Sequence, residues 1–114
     1  MKIKLNLLVL RCQDIEKSKT FYEKLSLNFV KEKHGKGDEH YACMFDDMIF
    51  ELYPLKTPAI IDNTRLGFTL DINNMREFLE KEKIDIIMEY TYDTRDIFVV
   101  YDPDMRKVEL KCKI

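Results

Sequence analysis

The only two imidazoles in the chain, His34 and His40, bracket the segment HGKGDEH, where Gly35 and Gly37 can take positive φ and reverse the chain. Brought together across a hairpin, two imidazoles offer two nitrogen lone pairs to a cation. No third donor is evident beside them in the sequence, so polar hairpin residues are the expected outcome. Three cysteines, Cys12, Cys43 and Cys112, stand far apart with no C-x-x-C among them. That excludes a zinc ribbon and a dithiol redox pair, and leaves small buried hydrophobes in a reducing compartment. No glycine-rich phosphate loop, G-x-S-x-G or H-E-x-x-H occurs. The remaining chemistry lies in carboxylates and guanidinium groups that alternate with apolar residues, and its meaning depends on the strands that carry them.

Those strands follow from a hydrophobic period that switches between two and about 3.6. Residues 3–11 (IKLNLLVLR) read as a central strand with apolar residues on both faces. Asp14 offers an N-cap oxygen, and Ser18, Phe21, Tyr22 and Leu25 fall on one face of a helix. Leu27–Lys33, Glu39–Phe45 and Met48–Tyr53 read as three strands. Residues 54–64 (PLKTPAIIDNT) form a connector. The order then repeats. Arg65–Ile72 is a strand, and Asn74 with Glu77 resembles a capping box opening a helix whose apolar face is Met75, Phe78 and Leu79. Ile84–Tyr92, Ile97–Tyr101 and Lys107–Lys113 close the set. A single offset of 58 places Leu7 on Arg65, Phe50-Glu51-Leu52 on Val108-Glu109-Leu110 and Asp46 on Asp104. One offset fitting both ends argues for a duplicated βαβββ unit in an α+β fold.

With 114 residues, one domain is expected, divided into module one (1–53), the connector (54–64) and module two (65–114). Nineteen Lys and Arg against twenty-one Asp and Glu leave a formal charge of −2. Neither a basic excess nor a basic block is present, so no nucleic-acid or membrane partner is expected. The apolar run Leu5–Leu10 is broken by Asn6 and closed by Arg11, shorter than the roughly 7–15 residues of a signal-peptide core. A cytoplasmic location is the expectation.

The run LLVLRCQDIEKSKTFYEKL, with Asp14, Ser18, Phe21 and Tyr22, resembles the opening of the vicinal oxygen chelate superfamily, which includes glyoxalase I, bleomycin-resistance proteins and extradiol dioxygenases. The ending VVYDPDMRKVELKC, with the turn Asp102-Pro103-Asp104, is similar to the same family's closing hairpin. The resemblance spans nearly the whole chain. It implies two βαβββ modules curling into a half-open barrel, paired as a homodimer. Met105 stands where the family usually has Gly, which implies strain of order 1 kcal/mol if that residue takes positive φ.

The resemblance also places the family's metal-ligand positions at Leu7, Glu51, Arg65 and Glu109. A Leu side chain has no lone pair, and a guanidinium has no acceptor and repels a divalent ion. No metal and no cofactor is therefore expected. Instead, Arg65 would sit between Glu51 and Glu109 in a trio of net charge −1, favouring a cationic or hydrogen-bond-donating ligand. By family analogy Leu5, Leu7, Val9, Tyr41, Cys43, Val99 and Tyr101 line the same groove. The expected function is a metal-free protein that binds or sequesters a small organic ligand, as bleomycin-resistance-like proteins do. One alternative is a glyoxalase-like lyase or isomerase, with Glu109 or Glu51, raised in pKa, as general base and Arg65 as electrostatic stabiliser. Others are a metal-dependent lyase or dioxygenase with atypical ligands, and an interaction module.

Overall fold

The computed structural model describes residues 1–57 and 62–113. Two compact units, Met1–Ile61 and Asp62–Ile114, each carry a βαβββ order, so the α+β class and the duplication both hold. Residues 58–61, the middle of the expected connector, lie outside the described residues.

In unit one, β1 (Leu7–Cys12), α1 (Ile15–Glu23), β2 (Val30–Glu32), β3 (His40–Phe45) and β4 (Met48–Pro54) form a sheet of order β1-β4-β3-β2. β1 runs parallel to β4, with Val9 opposite Glu51, and the other pairs are antiparallel. The first strand therefore lies at one end of its sheet rather than at the centre, and it begins at Leu7 rather than at residue 3. Its apolar residues on both faces reflect two different environments: Leu10 and Cys12 are buried, whereas Leu7 and Val9 are exposed.

Helix α1 starts where Asp14 accepts hydrogen bonds from the backbone N–H groups of Glu16 and Lys17. Its face of Ser18, Phe21 and Tyr22 is buried. Tyr22 meets Phe50 edge-on at 5.2 Å, and Phe29 closes on Phe50 at 5.8 Å. Phe50 and Leu52 thus face the helix, and Glu51 and Tyr53, one residue out of phase, face away from it.

In unit two, β5 (Leu66–Leu70), α2 (Met75–Lys81), β6 (Met88–Tyr92), β7 (Arg95–Tyr101) and β8 (Lys107–Cys112) repeat the arrangement as β5-β8-β7-β6. Asn74 caps α2 by accepting the Glu77 N–H at 3.1 Å, and Met75 and Leu79 are buried beneath it. Arg76 of α2 pairs with Glu89 and lies over the Phe98 ring, marking the helix side of this sheet. Val99 and Glu109, opposite each other in register, belong to the other side.

The turn between β7 and β8 is built around a buried cation. Arg106 is 1% exposed, and its guanidinium donates to Asp102 at 3.1 Å, Asp104 at 3.4 Å and both carboxylate oxygens of Asp62. Asp102 Oδ1 also accepts the backbone N–H groups of Asp104 and Arg106. Burial opposes the charge of Arg106, but the hydrogen bonds to Asp62 and Asp102 outweigh it and hold its pKa above the ordinary value. The hydrogen bonds from Arg106 hold the Asp62 carboxyl well below its usual range against a smaller opposing effect of burial.

Two outcomes follow from this turn. Arg106→Met leaves Asp102 and Asp104 buried without their counter-charge and should cost about 3–5 kcal/mol in a urea melt. A loss under about 1 kcal/mol would contradict the role assigned to the guanidinium. Met105 takes φ 65 with 64% of its surface exposed, so its side chain contributes little packing against the strain. Met105→Gly should therefore raise stability by about 0.5–1 kcal/mol, seen as a higher denaturation midpoint at unchanged slope.

Candidate functional site

Each sheet carries its polar cluster on the face turned away from its helix. In unit two the centre is Glu109 on β8. Arg65, just before β5, donates to its Oε1 at 2.5 Å, and the Tyr90 hydroxyl on β6 donates to the same oxygen. The hydrogen bond from Tyr90 holds the Glu109 pKa below its ordinary value; burial opposes it, and the Arg65 hydrogen bond adds to it. The same bonds raise Tyr90 and Arg65, because each must give up a partner to lose its proton. Gly67 lies opposite Glu109 in register, and a Cβ added there would stand 3.8 Å from the Glu109 Oε2, an ordinary van der Waals contact. A cavity of about 320 Å³ opens here, lined in part by Gly67, Thr69, Tyr90, Ile97, Glu109 and Lys111. Arg65 and Tyr101 border a second hollow of about 350 Å³ with Asn63, Met105 and Lys107.

In unit one the centre is His40, fully buried at the start of β3. The Tyr53 ring stacks on it at 4.1 Å and 9° with its hydroxyl 3.3 Å from His40 Nε2, and Arg11 lies over the Tyr53 ring at 4.9 Å. His40 Nδ1 lies 3.0 Å from the Asp38 carbonyl oxygen, which can only accept, so Nδ1 carries a proton. Its Nε2 lies 3.3 Å from Glu32 and 3.4 Å from Glu51. His34 brings its own Nε2 to 3.5 Å from the same Glu32 oxygen.

Arg65 and Glu109 therefore meet as the sequence suggests, and Val99 and Tyr101 share their face of the sheet. Leu7 and Val9 share the face of Glu51 in unit one, whose ion-pair contact there is His40. Tyr41 and Cys43 do not belong to that face. Tyr41 donates its hydroxyl to Glu16 of α1 at 2.6 Å, and Cys43, opposite Phe50, is buried on the helix side, where burial pushes its thiol pKa up. The family analogy fails here because the two hairpins differ in length. Two residues separate Phe45 from Met48, but five separate Tyr101 from Lys107. An even loop and an odd loop put strands of the same numbering on opposite faces. Glu109 also departs from the expected general base: its pKa is lowered rather than raised.

Glu32 and Tyr90 were missed by sequence reasoning, although they stand 58 residues apart, the same offset that relates Glu51 to Glu109. That coincidence was the available signal. Glu32 is also the third donor that the two histidines lacked in sequence, brought opposite His40 by strand register.

No protein-family model and no curated protein matches the sequence. Solved structures match its fold. An integron cassette protein from the mobile metagenome of V. cholerae superposes with a TM-score of 0.76 at 24% identity, covering 100% of this chain and 98% of that one. Lactoylglutathione lyase from Agrobacterium tumefaciens gives 0.71 at 14% identity, over 96% and 92% of the two chains. A glyoxalase family protein from Enterococcus faecalis gives 0.70 at 20%, over 95% and 96%.

The hydrogen-bond order at Glu109 has a measurable consequence. Tyr90→Phe removes the largest stabiliser of the ionised carboxylate, so the Glu109 titration should move up towards the ordinary Glu value of about 4.3, read by carbon-detected NMR. A titration that stays where it is, or moves down, would contradict the assignment.

Proposed function

We propose that this chain, which has the vicinal oxygen chelate fold, binds a small organic molecule bearing an acidic or hydrogen-bond-accepting group on the open face of unit two. The Arg65–Glu109–Tyr90 cluster beside a cavity of about 320 Å³ carries this reading. That volume falls within the range of small-molecule pockets, and its wall mixes aromatic and aliphatic surface with a few fixed polar groups. Glu109 contributes one negative charge, while Arg65, Lys107 and Lys111 of the same sheet face contribute three positive ones. The local balance is positive, so a cationic ligand, the expectation from a trio of net −1, is disfavoured.

The fold family's metal positions support a metal-free site there. Of the two that fall in unit two, Arg65 has no lone pair and is engaged with Glu109, the other. This donor set does not fit a divalent cation.

Binding is favoured over lyase or isomerase chemistry by the state of Glu109. A general base works best with a pKa near the operating pH, and this carboxylate is held in the opposite direction by two donors that occupy its Oε1. Its oxygen is positioned to orient a ligand rather than to take a proton from one.

A thermal-shift screen over small aliphatic and aromatic carboxylic acids tests the proposal. A ligand at 100 times its Kd should stabilise the protein by about 2.7 kcal/mol, following mass action with concentration. The shift should be lost in Lys111→Ala and reduced in Tyr90→Phe. Stabilisation by organic cations alone, or by no compound in the screen, would overturn it.

A further inference from the structure

We propose that Glu32, His34 and His40 form a binding site for a divalent transition metal, Zn²⁺ in the first instance, on unit one. The site is separate from the four positions that the fold family uses. The ligand atoms of these three residues all lie within 4.8 Å of one another. Glu32 Oε1 stands 3.5 Å from His34 Nε2 and 3.3 Å from His40 Nε2. Donors held about 2.0–2.1 Å from a tetrahedral ion are separated by roughly 3.3–3.4 Å, so both pairs already have nearly the required spacing.

The hairpin produces this arrangement. Glu32 ends β2 and lies directly opposite His40 at the start of β3, while His34, two residues beyond Glu32, leans back over both from the glycine turn. His40 is held as metal-ligating histidines usually are. Its Nδ1–H donates to the Asp38 carbonyl, the ring is clamped against Tyr53, and Nε2, 3.3 Å from the Tyr53 hydroxyl that an ion would displace, faces the other two donors.

The electrostatics call for a cation at this point. His40 Nε2, buried, lies 3.3 Å from Glu32, 3.4 Å from Glu51 and 3.3 Å from the Tyr53 hydroxyl, with a second imidazole turned onto the same Glu32 oxygen. One divalent ion between the three donors would balance the charges of Glu32 and Glu51. Two imidazoles and one carboxylate form a borderline N₂O set that suits Zn²⁺, Co²⁺ or Ni²⁺ rather than Ca²⁺ or Mg²⁺. His34 is 73% exposed at the side chain and Glu32 38%, so the ion would enter from solvent and keep a coordination position open at the mouth.

The full chain, stripped with chelator and desalted, is titrated with Co²⁺ and then with Zn²⁺. The expected result is a tetrahedral cobalt absorption band that saturates at one ion per chain and is displaced by zinc. His34→Ala, a change at an exposed side chain that leaves the buried His40 in place, should weaken binding by more than about tenfold, and Glu32→Gln likewise. Glu109→Gln should leave the band intact. The absence of any band or thermal shift would overturn the proposal. So would binding that survives His34→Ala and disappears in Glu109→Gln, which would put the ion at the family's positions instead.

Discussion

Side chains of a β-strand alternate between the two faces of its sheet, and backbone pairing sets which face each one takes. In both units the last strand pairs in parallel with the first and antiparallel with the third, so one register connects the site residues of three strands. Val9 lies beside Glu51, and Glu51 beside Ala42; Gly67 lies beside Glu109, and Glu109 beside Val99. A slip of one residue would exchange Glu51 for Phe50 or Leu52 and bury charge against a helix. The aromatic packing of Tyr22 and Phe29 on Phe50 resists that slip in unit one. The Arg106 turn resists it in unit two by tying β8 to Asp102 and Asp104 through buried charge-assisted hydrogen bonds.

The two clusters show how one architecture supports different chemistry. The positions related by the offset of 58 are Glu32 and Tyr90, and Glu51 and Glu109. In unit two a phenol and a guanidinium converge on one carboxylate, and the cluster satisfies its own hydrogen bonds. In unit one that phenol is replaced by a second carboxylate, and the opposing strand supplies an imidazole whose Nε2 lies beside two carboxylates and the Tyr53 hydroxyl. The first arrangement leaves a neutral pair beside a cavity; the second leaves excess negative charge around a buried nitrogen. Duplication supplies the frame, and single substitutions within it decide whether a site is complete by itself or calls for a cation.

Much of the fold was legible because the signals are local. Asp14 and Asn74 mark helix starts through their own side-chain hydrogen bonds, and the apolar stripes behind them identify the buried faces. The strand boundaries were less clear. Residues 84–87 look strand-like in composition, yet β6 begins at Met88, because a strand needs a partner and hydropathy does not report one. The same limit explains why β1 was expected at the centre of its sheet.

From the sequence alone came the α+β class, the repeated βαβββ order, the Arg65–Glu109 pair and the unsuitability of Leu7 and Arg65 as metal ligands. These depend on residue type and on spacing along the chain. The tertiary structure alone decided the helix-side placement of Tyr41 and Cys43, the joining of Tyr90 to Glu109, and the convergence of Glu32 with His34 and His40. Each of these turns on which strands pair and on whether the loop between them is odd or even. Pairing is a contact between distant segments, and its free energy is shared among many side chains, so no short stretch of sequence carries it.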